Sequence, residues 1–177
     1  MDMTAGLSWG RLSAVAAFAT FALLSGCAEL ALQKVAQGAS ADDVRRAAGR
    51  PSEELILPDG SKAWYYVAGP TGWTTYRVHF SASDGVLDSR QVLTPQSFQQ
   101  DLVSGKTTRE QAMAALGPPG LIMSFPNLNE VVWTYRWMDV EMPSKMDVHF
   151  DATTGVVRYY NTYWDPCPSA SIMCAGT

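Results

Sequence analysis

The chain has 177 residues, 47% of them hydrophobic and 17% charged. That composition is globular, and the length suits one ordinary domain or two small ones. Its 13 Lys and Arg against 17 Asp and Glu give a formal net charge of −4, so no broad basic footprint points to nucleic acid.

Leu12 to Leu24 is an apolar, Ala-rich run without a charge, preceded by Arg11. It is too short for a comfortable membrane span and suits the core of a signal peptide. Leu-Ser-Gly-Cys follows at 24–27. Placed there, it resembles a bacterial lipobox, which implies cleavage before Cys27 and lipidation of that cysteine. Several acyl chains, at about 0.8 kcal/mol per buried methylene, hold a protein on a bilayer essentially permanently. Under the enteric sorting rule, aspartate after the cysteine retains a lipoprotein in the inner membrane. Here that residue is Ala28, so the resemblance favours the periplasmic face of the outer membrane. Residues 1–26 then form the signal peptide, and 27–37 a lipidated tether or first amphipathic helix.

Gly38 to Pro51 predicts a short helix with both ends written in. Ser40 is an N-cap, Asp43 stands three residues later, and Gly49 and Pro51 stop the helix. Short strands follow at Glu54 to Leu57 and Lys62 to Ala68, with turns at Pro58-Asp59-Gly60 and Gly69 to Gly72. Trp73 to Ser81 alternates, with Tyr76, Val78 and Phe80 on one face and Thr75, Arg77 and His79 on the other. That is a half-buried antiparallel strand. Asp84-Gly85 turns the chain, and Val86 to Leu93 returns.

The same order then recurs. Thr94 caps a helix with Pro95 at its first position. A second capped helix carries Thr108 with Gln111 and ends at Gly117 to Pro119, matching Ser40, Asp43, Gly49 and Pro51. Strands are predicted near Leu121 to Phe125, Glu130 to Met138, Lys145 to Asp151 and Val156 to Tyr163. Val148-His149-Phe150 repeats Val78-His79-Phe80, and Gly155 repeats Gly85. One unit is therefore present twice, at 38–93 and 94–166, with a tail at 167–177. The expected fold is α+β: two tandem helix-plus-antiparallel-sheet units, with helices on one face of each sheet. Each copy would be marginal alone, so the two are expected to pack together.

The run Leu93-Thr94-Pro95, Gly105-x-Thr107, Gln111, Leu116-Gly117-x-Pro119, Trp133-x-Tyr135, then Phe150 with Gly155-Val156, resembles the BamE/SmpA/OmlA-like outer-membrane lipoproteins. Residues 38–93 resemble them more loosely, through Gly49-x-Pro51, Trp64-x-Tyr66, Phe80 and Gly85-Val86. The resemblance implies two helices on a small sheet in each unit. It also implies a non-enzymatic accessory role in envelope or β-barrel outer-membrane protein assembly, with barrel-assembly subunits as the protein partner. It further implies a partner- and lipid-contacting Phe between helix stop and Trp-x-Tyr strand, here Phe125; the competing use of that ring is to turn inward and staple its loop to the helix. The tandem arrangement also resembles the β-lactamase-inhibitor protein. That alternative implies a binding module clamping a periplasmic enzyme or cell-wall component.

The residues themselves offer no catalytic constellation, cofactor motif or metal-ligand cluster. Ser, His and Asp are present without a nucleophile elbow. His79 and His149 take equivalent places in the two units. They are either a metal or pH pair or polar residues on a solvated face. Arg45, Arg46 and Arg50 form a small basic group beside Asp42 and Asp43, facing either solvent or an anionic partner. Trp64, Trp133 and Tyr135 are candidate partner-binding aromatics, with core filling the competing use. In an oxidising periplasm Cys167 and Cys174 are expected to form a disulfide. A metal site there is the weaker alternative, because no His or third Cys lies nearby.

Overall fold

The computed structural model describes residues 28–68 and 72–165. Cys27, the signal segment before it, the turn at 69–71 and both tail cysteines lie outside the described residues. None of the described helices is long and apolar enough to cross a membrane.

The fold is α+β, with two four-stranded antiparallel sheets. The first unit has helix α1 (Ala41–Ala48) and strands β1 (Glu53–Ile56), β2 (Lys62–Ala68), β3 (Thr74–Phe80) and β4 (Val86–Gln91). The second has α2 (Pro95–Asp101), α3 (Arg109–Leu116), β5 (Leu121–Phe125), β6 (Glu130–Asp139), β7 (Met142–Asp151) and β8 (Val157–Trp164). Each sheet is a meander in sequence order. Residues 28–33 are helical and pack on the first unit. Leu32 is buried in its core, and Gln33 Nε2 donates to the Tyr76 hydroxyl at 2.9 Å.

The two units repeat in detail. Ser40 and Thr108 close reciprocal capping boxes with Asp43 and Gln111, each satisfying two of the orphan amides at a helix start. Gly49 and Gly117 end the helices at φ 82° and 83°. The Tyr66 hydroxyl donates to the Gly49 carbonyl at 3.2 Å, and Tyr135 donates to Gly117 at 3.1 Å. Trp64 meets Phe80 with ring centres 4.7 Å apart, and Trp133 meets Phe150 at 4.8 Å. Both third strands slip register between the His and the Phe of Val-His-Phe.

Each unit's helices cover one face of its own sheet. Val44 and Ala48 of α1 meet Trp64, Tyr66, Tyr76, Val78 and Phe80. Ala112 and Leu116 of α3, with Phe98 of α2, meet Trp133, Tyr135, Trp137, Val148 and Phe150. The face of β3 carrying Thr75, Arg77 and His79 is not half open, as its alternation predicts. Unit two lies against it. Tyr65 on that face is 0% exposed, and its hydroxyl donates to the Ala114 carbonyl of α3 at 2.6 Å. Arg77 reaches the same carbonyl at 3.4 Å. Burial pushes the Tyr65 phenol up to about 12, against the opposing pull of Arg77, so it stays a neutral donor throughout the ordinary pH range. Helix α3 is therefore shared between its own sheet and the back of the first. Its composition suits this: Met113 and Ala114 stand where α1 has Arg45 and Arg46.

The β7–β8 turn is held by Asp151. Its carboxylate receives Arg158 Nη2 at 2.7 Å and the amides of Thr154 and Thr153 at 2.8 and 3.0 Å. These donors, Arg158 first, hold the carboxyl well below the usual carboxylate range. A depressed folded-state pKa contributes stability that is complete above the unfolded value, about 4, and fades as pH falls below it. Asp151→Asn is expected to lower the urea midpoint at pH 7. The gap to the parent should narrow as pH drops below about 4. A gap that stays constant down to pH 2 would remove this role from the carboxylate.

Candidate functional site

Three of the four candidate docking aromatics are core residues. Trp64, Trp133 and Tyr135 are all buried, each a wide ring closing the space between helix and sheet. This corrects the docking reading of these three: what they offer a partner is at most an edge at the floor of a cleft. Phe125 differs. It ends β5, is 38% exposed, and leads into a 3-10 turn at Pro126–Leu128 closed by Asn129 in the left-handed region.

All five residues of β5 are exposed. Leu121, Ile122, Met123 and Phe125 give it four large apolar side chains, and Leu128 follows at 62% exposure. It is an edge strand, paired only with β6. Its counterpart in unit one is β1, and Leu57, directly after that strand, stands at the position of Phe125. Leu57 lines a groove of about 570 Å³ with Met113, Ala114 and Trp133 of unit two. The position that faces a groove between the units in the first repeat is thus open in the second.

The two histidines lie on separate sheets, so they form no joint site, and neither is a bare residue on a solvated face. His79 Nδ1 lies 3.4 Å from Asp88, and its Nε2 lies 3.0 Å from Ser61 Oγ. His149 Nδ1 lies 3.2 Å from Glu130, its Nε2 lies 3.1 Å from Asn161 Oδ1, and its ring stacks on Tyr159 at 4.2 Å. Ser61, His79 and Asp88 are therefore together in space, although no motif announces them. The Ser61 hydroxyl, however, donates to Asp59 at 2.6 Å. Its proton is committed there and not offered to His79, and the buried side chain has no room for an incoming carbonyl. Among the described residues no group of three or more His, Cys, Asp and Glu has metal-binding geometry.

Two of the three residues of the basic group are paired within the fold, while Arg50, beyond the end of α1, is exposed. Arg45 pairs with Glu54 at 3.1 Å and stacks over Trp64 at 4.5 Å, and Arg46 pairs with Asp43 at 2.9 Å.

No family model matches the chain, and no curated protein matches it. Two solved structures are similar to it. One is a DUF4309 family protein (YjgB) from Bacillus subtilis, 18% identical over 81% of this chain and 97% of that one, with a TM-score of 0.29. The other is an extracellular protein containing an SCP domain from Bacillus anthracis, 13% identical over 73% of this chain and 44% of that one, with a TM-score of 0.27. Neither likeness is strong enough to carry an argument about fold or function.

One exposed feature has no sequence signal of its own kind. The β6–β7 hairpin turns through Val140 at φ 45° and Glu141 at φ 77°. Such turns favour Asn-Gly, and a β-branched residue at positive φ is strained. Val140 is also 88% exposed. Replacing Val140-Glu141 with Asn-Gly is expected to stabilise the chain by about 1 kcal/mol, the strain such positions store. An unchanged thermal midpoint would show that the turn carries no strain.

Proposed function

We propose that this chain is a non-enzymatic lipoprotein, anchored through Cys27 to the periplasmic face of the outer membrane, which engages a protein partner in envelope or β-barrel assembly. The observation that carries the protein-binding part is β5. An exposed apolar edge strand is an aggregation hazard unless a partner covers it, and contiguous apolar surface of this kind marks interaction sites. The internal repeat supports the same reading, because Leu57, the counterpart of Phe125, lines a groove shared with the neighbouring unit. The anchor and the assembly role rest on the lipobox and on the family resemblance. No cofactor or metal enters the proposal.

The test is capture of the native lipoprotein with a photo-crosslinker at Leu121. Barrel-assembly subunits are the expected catch, and a single soluble periplasmic enzyme would favour the inhibitor-like alternative. Phe125→Ala should cut partner recovery at least tenfold, since an aromatic anchor commonly carries about 2 kcal/mol of binding. Its thermal midpoint should hardly move, because the ring is partly solvated. Full recovery, or a clear loss of stability, would remove Phe125 from the interface. Cys27→Ser should release the chain from the outer-membrane fraction. Continued fractionation with that membrane would defeat the anchor.

A further inference from the structure

Trp64 and Trp133 floor equivalent clefts, and the chain furnishes the two differently. Over Trp64 lies the Arg45 guanidinium, paired to Glu54. In unit two Met113 and Ile122 stand at those positions, and the cleft over Trp133 is mainly apolar, walled by Leu55 and Leu57 of unit one, with Arg109, Glu110 and Gln111 completing its lining. The clefts measure about 550 and 570 Å³ and meet at β1, whose Leu55 and Ile56 line both.

β1 is the edge of its sheet. The Leu57 amide donates to the Ser61 carbonyl at 2.8 Å, which fixes the phase of the ladder. Glu53 and Leu55 turn their main-chain groups toward β2, so Glu54 and Ile56 turn theirs away from the sheet. Ile56 is 79% exposed.

We propose that the β1 edge docks an extended segment of a partner protein by strand addition, with an apolar side chain entering the Trp133 cleft and a basic one entering the Trp64 cleft. The outward amides call for main-chain acceptors, which a peptide has and a lipid tail lacks. Successive side chains of an added strand point to opposite faces, and each face of β1 has one cleft. Charge selects the basic residue. The Trp64 cleft holds Asp42, Glu54 and Asp84 against Arg45 and Lys62. Arg45 pairs with Glu54 and Lys62 with Asp84 at 2.7 Å, while Asp42 has no ion pair among the described residues. The site is independent of β5 and of the envelope role proposed above.

The test uses the full chain, labelled with nitrogen-15, and blocked seven-residue peptides in which Leu alternates with Lys, Glu or Thr. The Leu-Lys peptide should bind and shift the amides of Glu54 and Ile56 and the Trp133 indole. Ile56→Pro deletes one outward amide without touching the β1–β2 ladder. It should weaken binding at least tenfold at an unchanged thermal midpoint. Asp42→Asn, at an exposed site with little folding risk, should weaken the Leu-Lys peptide severalfold and leave the Leu-Thr peptide unchanged. No shifts at millimolar peptide, shifts confined to β5, equal binding of the Leu-Glu peptide, or an indifferent Asp42→Asn would each overturn the proposal. So would Glu54 and Ile56 amides already protected from hydrogen exchange in the peptide-free chain, because a segment of this same chain would then hold the edge.

Discussion

Gly117→Ala should destabilise the chain by about 3–4 kcal/mol, and Gly49→Ala by only about 1–2, although both glycines do the same job. Both end a capped helix, at φ 82° and ψ −160° for Gly49 and φ 83° and ψ −168° for Gly117. A side chain in that backbone region is strained by roughly 1–3 kcal/mol at either place. The surroundings separate them. A Cβ at Gly49 would meet nothing within 4 Å, whereas one at Gly117 would lie 2.6 Å from Tyr65 Cδ1 and 3.1 Å from Cγ. The Tyr65 ring cannot swing away, because it is fully buried and its hydroxyl is fixed on Ala114. Relief therefore means moving one unit against the other, and overpacking of that kind costs about 1–3 kcal/mol more. Urea titration of both variants reads the difference. Equal losses would mean that the seam between the units yields without cost.

That seam was the least legible part of the molecule. The capped helices could be read from local chemistry alone: Ser40 with Asp43 and Thr108 with Gln111 state their own hydrogen bonds, and Gly-x-Pro states the stop. The strands could be read from alternation, because Tyr76, Val78 and Phe80 face a core made by their own unit. How two units meet depends on residues that periodicity treats as surface. Thr75, Arg77 and His79 look like a wet face; α3 reaches that face at Tyr65 and Arg77, while His79 is held by Ser61 and Asp88 of its own unit. Two signals did point there. Trp64, Tyr65 and Tyr66 are consecutive aromatics, which a strand with one wet face does not need. Met113 and Ala114 also take the places of Arg45 and Arg46, so α3 needed cover on its second side. The docking reading of Trp64, Trp133 and Tyr135 has the same origin. Alternation tells which side chains share a face but not which face is closed, and all three point into closed ones. Phe125 could be picked out only through the family resemblance. That β5 is wholly exposed follows from its edge position, which the meander implies but the letters L-I-M-S-F do not.

Phe80→Ala and Phe150→Ala remove equivalent rings and should nevertheless unfold the chain differently. Both rings are fully buried and lean on a tryptophan in the same tilted geometry. Truncation of such a residue costs about 3–5 kcal/mol, a large share of a small domain's stability. The units do not depend on each other equally. Unit two closes its core with its own α2 and α3, so loss of unit one uncovers the outer side of α3 around Ala114 and Gly117 and one end of β6, and leaves that core covered. Unit one closes one face with α1 and relies on unit two for the other, where Ala63, Tyr65 and Thr75 would be stripped of cover. Phe150→Ala should accordingly bring down both units in one transition at a lower midpoint. Phe80→Ala should split the transition, with unit one melting first while Trp133 and Trp137 keep their packing. Hydrogen exchange separates the two cases, because amides of β2 and β3 should lose protection under denaturant conditions where those of β6 and β7 keep theirs. If Phe80→Ala instead unfolds in a single step with uniform loss of protection, the dependence is mutual and the seam is as necessary to unit two as to unit one.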